Sequence, residues 1–506
     1  LSANRNICCT RIAEVLTDIQ PIGFLIPLSV SHQQRTTFQY LLMLRALDKH
    51  TKTTQTNIIN FKKENKQMDN SIQNKVNHRI IMPLQGFLRQ EKSGGIVLGL
   101  SVIVALILAN SPWAGSYFHF FEQKLGIAFN GSLYMNYSLH HWVNDGLMAM
   151  FFFVVGLELK REFIGGELSD IKNTILPICA AIGGMVVPAL IYISLNVGDA
   201  TANGWGIPMA TDIAFSLGIL CLLGSKVPTS IKVFLTTLAI VDDLGAVLVI
   251  ALFYTSEISV VNILIGLLFL LVMFIANKLG VKNVIFYAVL GIGGVWTSFL
   301  LSGVHATIAA VLSAFMIPAD SRIPESIYIS RANKLLQRFR KAKPNDVSTL
   351  EEDQLDILDR TRREAKDAIP PLQRLELAMH PFISFVVMPI FALSNAGISF
   401  SGINASTLLS TNVAAGVMLG LLFGKPIGII GSTVLLTKLR IATPPKEMTF
   451  RKLVGLGFLA SIGFTMSMFV STLAFDASDH FTQSMVGIFA ASIIGGAIGY
   501  FLLKKE

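Results

Sequence analysis

The sequence predicts an all-α integral membrane protein with twelve transmembrane helices, and three observations carry that reading. Of 506 residues, 52% are hydrophobic and only 14% are charged, where soluble domains run to about 25% charged. The charges are also clustered. Residues 1–92 hold 19 of them and residues 320–376 hold 23, leaving 31 across the other 357 positions. Finally, loops rich in Lys and Arg alternate along the chain with loops that carry almost none, as the two sides of a spanning chain do. An ordinary soluble enzyme, a disordered chain and a disulfide scaffold are excluded.

A spanning helix needs about 20 mostly apolar residues. Such runs fall near 95–110, 140–159, 174–195, 205–224, 229–254, 258–277, 283–301, 303–317, 380–397, 411–437, 452–474 and 482–503. The seventh and eighth meet at Leu301–Gly303, so their turn is tight. With the N-terminal tail inside, the inside loops carry Lys160, Arg161 and Lys172; Lys226 and Lys232; Lys278 and Lys282; and the 320–376 block. Lys438, Arg440, Lys446, Arg451, Lys452, Lys504 and Lys505 complete the inside set, while the outside loops carry little beyond Lys124. Adding or removing one span scrambles this alternation, so both termini are expected in the cytoplasm.

The net charge of +9 is concentrated in the polar tail of residues 1–92, where 13 basic residues face 6 acidic ones. It therefore reports a basic tail and not a nucleic-acid surface. The apolar stretch Ile22–Val30 is too short to span and lacks a small-residue cleavage site. The chain opens on Leu, and Met68 and Met82 are plausible starts; a mis-set gene start before Met68 and a genuine disordered tail are the two readings. Residues 93–506 form the twelve-span domain, interrupted by a charged cytoplasmic insertion at 319–378. Within it, Arg331–Lys343 is basic and Leu350–Ile369 has helical charge spacing, with Asp359 and Arg363 as an i,i+4 pair. It reads as a solvated helical hairpin or as an arm lying on anionic lipid. Cys8, Cys9, Cys179 and Cys221 show no metal or disulfide spacing, and no resident cofactor is expected.

Ionisable groups inside a span cost about 2.5–3.5 kcal/mol each on insertion scales, which makes them functional candidates. They are few: Asp145 in span 2, Asp212 in span 4, Asp242 and Asp243 in span 5, His305 opening span 8 and Lys425 inside span 10, with Glu158 and His380 near span ends. Asp242 and Asp243 sit near the centre of Ile231–Tyr254, beyond reach of water. Neighbours on a helix point about 100° apart, so one can face a wet cavity while the other meets a counter-charge. Lys425 is the mid-membrane cation available to Asp242 or Asp243.

Two spans carry break signals. Span 4 opens Gly204-Trp-Gly-Ile-Pro208-Met-Ala-Thr211-Asp212, and Pro208 removes a backbone donor. Span 11 holds Gly455, Gly457 and Gly463. Paired interruptions in two halves of a membrane chain point to a transporter site built from half-helices. Carboxylates, hydroxyls and freed carbonyls are hard oxygen ligands suited to small hard cations. A buried carboxylate that holds a proton or a metal ion, one at a time, is enough to couple two opposite fluxes. No Gly-x-x-x-x-Gly-Lys-Ser/Thr stretch occurs, so the energy should come from an ion gradient.

Six segments then carry a family resemblance: Val155–Glu162, Ala210–Phe215, Val241–Ala246, Ser302–Thr307, Gly424–Gly428 and Gly463–Ser467. In this order they resemble the NhaA-type bacterial Na+/H+ antiporters, from about Ser93 to Leu503. The resemblance implies an inverted-repeat core in which spans 4 and 11 cross as broken helices. It makes Asp242 and Asp243 the cation and proton carriers, with Thr211 and Asp212 beside them and Asp212 balancing the half-helix N-termini. Lys425 would pair with Asp242, leaving Asp243 the more exposed ligand. It further implies exchange of two H+ inward for one Na+ or Li+ outward, a homodimer in the bacterial inner membrane, and activation at alkaline pH through Glu158, Arg161, Glu162, Glu376 and His380. Leu377, where some members carry histidine, and the long insertion both depart from the pattern beside this cluster. Asp145, His305 and Gly463 are accessory candidates. The rival readings are a bile-acid-type Na+-coupled symporter, an intramembrane aspartyl protease and a passive channel.

Overall fold

The computed structural model describes residues 91–505, apart from 130–131, 170, 199, 225–226, 256–257, 343–348, 400–410, 446 and 476–478. The tail up to residue 90, with Met68 and Met82, lies outside the described residues, as do Lys226, Lys343 and Lys446.

Helix α1 (Glu91–Ala109) is followed by α2 (Ala114–Glu122), turned from it by 113°. An antiparallel hairpin follows, β1 (Lys124–Phe129) with β2 (Ser132–Ser138). It is the one sheet among the described residues, in a stretch the span reading treated as plain loop. The Trp142 indole donates to Leu125 O at 2.9 Å and ties the hairpin to the next helix. That helix, α3 (Leu139–Gly165), carries a π turn at Trp142–Leu147. Next come α4 (Ile171–Leu195), a 3-10 segment at Ala200–Met209, α5 (Ile213–Leu222), α6 (Thr229–Phe253) and α7 (Val260–Lys278). Helices α8 (Val284–Leu300) and α9 (Ala306–Met316) are joined by a tight turn, where Gly303 takes φ 80°, a left-handed conformation that suits glycine. The insertion folds as α10 (Glu325–Lys341) and α11 (Glu352–Ala368). The chain ends with α12 (Pro371–Asn395), α13 (Asn412–Lys438), α14 (Phe450–Ala460), α15 (Phe464–Ala474) and α16 (Asp479–Lys504).

This is a multi-pass helical membrane protein. Among the described residues, 8 helices are long and apolar enough to cross a bilayer, or 10 if each of two bent pairs is one span. Helices α8 and α9 cover the seventh and eighth apolar runs but are shorter.

Helix position follows from how much apolar surface each helix hides. In α13 and α6, 67% and 61% of the apolar window is buried, against 22% in α7. Helix α7 accordingly turns Val261, Leu264, Leu268 and Leu271 outward, where lipid tails are as apolar as they are.

Inside, α4 and α13 meet through glycines. A methyl on Gly428 would overlap the Gly183 carbonyl, and one on Gly424 would come 2.7 Å from Pro188 Cα. Small residues at a membrane interface let backbones approach this closely. The contact sets Lys425, one residue beyond Gly424, into the interior with no exposed surface. Sequence patterning thus decides packing, and packing places a cation in the core.

Candidate functional site

Two helix breaks meet at the centre of the site. After Pro208 the helical ladder lapses at Ala210–Asp212 and restarts at Ile213. Between α14 and α15 it lapses at Ser461–Gly463, with a 44° bend. The Asp212 amide donates to Ile462 O at 2.7 Å, so the breaks are bonded to each other. A side chain on Gly463 would collide with the Ser467 hydroxyl and come 3.1 Å from Ala210 O.

Broken helices leave unpaired N–H groups at their starts and carbonyls at their ends, and several of these are met by side chains at the junction. Asp212 caps α5 by accepting from Phe215 N at 3.1 Å. Its other oxygen accepts from Thr465 N at 3.0 Å and Thr465 Oγ1 at 2.5 Å, in the first turn of α15. One carboxylate therefore serves two helix N-termini, where the macrodipole favours negative charge. The Ser467 hydroxyl donates to Ile207 O at 2.8 Å, Thr211 to Ala460 O at 3.0 Å and Ser216 to Leu459 O at 2.8 Å. Lys425 Nζ donates to Met209 O.

Helix α6 passes beside this junction and splits its two carboxylates. Lys425 Nζ lies 2.7 Å from Asp242 Oδ2, with both side chains at most 1% exposed. Asp243 is equally buried but lines a cavity of about 440 Å3. Oδ1 of Asp242 and Oδ1 of Asp243 are buried without a hydrogen-bond partner. Unmet buried acceptors are costly, and they suit a proton, a cation or water.

The cavity runs from Asp243, Asp212 and Thr465 to Glu158, Arg161, Glu376 and His380, with Leu377 on its wall. Arg161 donates to Glu376 Oε1 at 2.6 Å and to Glu162 Oε1 at 2.9 Å, joining α3 to α12. Lys160, next to it, caps the C-terminal end of α9 through Phe315 O at 2.7 Å and Ile317 O at 2.5 Å.

The structure thus gathers Asp212, Asp243 and the Glu158–Arg161–Glu376–His380 cluster around one cavity, with Asp242, Lys425 and Thr211 packed behind it. Asp145 and His305 do not line that cavity. Asp145 lies 3.3 Å from His141 Nε2, and the His305 ring is 2.8 Å from Tyr254 O. Sequence reasoning missed Thr465, which stands inside a quoted segment but carries no charge to mark it. It also missed His140, Asn144 and Asn395. Asn395 donates to Asn144 Oδ1 at 2.9 Å, and its own Oδ1 lies 3.0 Å from the His140 ring.

A helical membrane protein with interior charges at a junction of broken helices, reached by a cavity, has the build of an ion transporter. Comparison with known proteins agrees. A family model described as Na+/H+ antiporter 1 matches residues 85–503. Na+/H+ antiporter NhaA 2 of Syntrophotalea carbinolica is 46% identical over 423 residues, 84% of this chain and 96% of that one. The NhaA antiporters of Oleidesulfovibrio alaskensis and Koribacter versatilis are 45% and 44% identical, each over 84% of this chain and over 94% and 92% of theirs. The chain belongs to the Na+/H+ antiporter 1 family.

Proposed function

We propose that the protein is an electrogenic antiporter of the inner membrane that expels Na+ or Li+ in exchange for H+. The observation that carries this is the split of the carboxylate doublet. Asp242 is held by Lys425, while Asp243 reaches the cavity with Oδ1 unpaired. A cation arriving through the cavity takes the place of a proton on Asp243, with Thr211 and Asp212 holding the surrounding backbone. In a two-for-one exchange the second proton belongs to the Asp242–Lys425 pair, whose ion bond opens when it is taken up. Each cycle then moves one net charge, worth about 2.3 kcal/mol per 100 mV, so membrane potential alone drives Na+ out.

Glu158, Arg161, Glu162, Glu376 and His380 form the access funnel and its pH-responsive cluster. Counting α8 and α9 as crossings gives twelve, with both termini cytoplasmic, and the working unit is a homodimer. The decisive measurement is pH-resolved flux in everted vesicles, comparing Na+, Li+ and K+. Na+ and Li+ should collapse a pre-formed ΔpH without any organic solute, and K+ should not. Calorimetry showing that Na+ binding releases no protons would overturn this reading.

A further inference from the structure

The hairpin of α10 and α11 has no part in the proposed exchange, yet its surface is built for a partner. The helices pack along Tyr328, Ala332, Leu335 and Phe339 on one side and Gln354, Ile357, Thr361 and Ala365 on the other, all buried or half-buried. At 100° per residue, Ile329, Leu336 and Arg340 lie clockwise of that line on α10, viewed from its N-terminus. Leu355, Leu358, Arg362, Lys366 and Ile369 lie on the same-handed side of α11 and its last turn. In an antiparallel pair the same-handed sides form one face. The Arg331–Glu364 ion pair, at 3.1 Å, bridges the opposite-handed sides, which fixes this arrangement.

The face so defined holds five exposed aliphatic side chains. Ile329, Leu336 and Leu355 are each just over half exposed, with Leu358 at 43% and Ile369 at 41%. Among the described residues no carboxylate comes within ion-pair distance of Arg340, Arg362 or Lys366. Of the acids on this side, Glu325, Glu351 and Glu352 stand at the starts of the two helices, where the macrodipole partly offsets them, and Asp359 is paired with Arg363. Glu351 also caps α11 with Gln354. Helix α10 as a whole sets five basic residues against Glu325.

We propose that this face docks on an anionic lipid surface. The hairpin is rooted between two membrane helices. Leu372 N at the start of α12 donates to Pro318 O just beyond α9 at 3.1 Å, and Arg322 N donates to Asp367 O at 2.9 Å. Aliphatic groups flanked by cations are the chemistry of an interfacial helix. Charge disfavours the other occupants: the N-terminal tail is itself basic, and a second copy of this face would bring Arg340 and Arg362 against their like. Lipid headgroups of negative sign complement it, each cation strengthening surface binding about fivefold.

The test uses the full chain, one copy per nanodisc, with native cysteines replaced by serine and a nitroxide at Leu336→Cys or Leu358→Cys. In discs containing phosphatidylglycerol the labels should gain collisions with oxygen and lose collisions with a water-soluble nickel chelate. A label at Lys334→Cys, on the other side of α10, should stay in water. Phosphatidylcholine discs, about 1 M salt, which shortens screening to about 3 Å, or the triple variant R340Q/R362Q/K366Q should each return the labels to water. Labels that remain water-exposed in anionic discs overturn the proposal. So does shielding that ignores lipid charge, or shielding that appears only with two copies per disc, which would identify a second copy as the occupant.

Discussion

Two ion pairs of nearly equal length sit in opposite surroundings. Lys425–Asp242 spans 2.7 Å with side chains 0% and 1% exposed, while Arg360–Asp356 on α11 spans 2.9 Å with side chains 57% and 54% exposed. Distance alone would rank them alike. Desolvation separates them: a buried charge that loses its partner has no water to turn to, whereas an exposed one barely notices. The crossing of the broken helices is therefore where charge weighs most on stability and, under the proposed exchange, on transport. The hairpin carries far more charge and stakes far less on any one pair.

The largest effect should come at the one doublet carboxylate that lines the cavity. Asp243→Asn should reduce Na+-driven ΔpH dissipation to that of empty vesicles, while the detergent-solubilised protein keeps its elution profile and melting curve. Next is the buried pair. Lys425→Ala strands the Asp242 carboxylate and should destabilise by about 3–5 kcal/mol, read as a clear fall in Tm. Adding Asp242→Leu should restore much of it. If the double variant melts no higher than the single one, the two residues are not coupled and the contrast drawn above fails.

Thr465→Val probes the clamp between the half-helices. It removes the hydroxyl donor to Asp212 and keeps the amide donor, and a hydrogen bond to a charged group is worth about 1.5–3 kcal/mol. Tm should drop and the apparent KM for Na+ should rise, with Thr465→Ser restoring both. At the funnel, Arg161 is 42% exposed, so effects there are moderate. Glu376→Gln should raise the KM for Na+ several-fold at low ionic strength and less at high salt, because the lost attraction is long-range and screened. An increase that ignores salt would mean Glu376 acts by contact.

Much of this was legible in the sequence for physical reasons. Asp242 and Asp243 had to diverge because adjacent helical residues point apart, and Lys425 was the one cation deep enough to claim either. Pro208 and Gly463 announced the interruptions. Other features left no such trace. Thr465 is one hydroxyl among many, and its role arises only when α15 is laid against Asp212. The aside of α2 and the β-hairpin depends on tertiary ties such as Trp142 to Leu125. Asp145, conspicuous as a charge in an apolar run, pairs locally with His141 away from the cavity. Hydropathy weighs what a segment contains, and not which neighbour it meets.

The smallest expected effect tests the solvated side of the contrast. Arg360→Gln removes the partner of Asp356 on the side of α11 that faces away from the proposed lipid surface. An exposed i,i+4 pair contributes about 0.3–0.5 kcal/mol, so Tm and exchange rate should both stay within measurement error. A loss above about 1 kcal/mol would mean that Asp356 and Arg360 are shielded in the bilayer-embedded protein. The side meeting lipid would then be the one carrying the ion pairs, and the nitroxide at Lys334→Cys, not those at Leu336→Cys and Leu358→Cys, should be the label that leaves water.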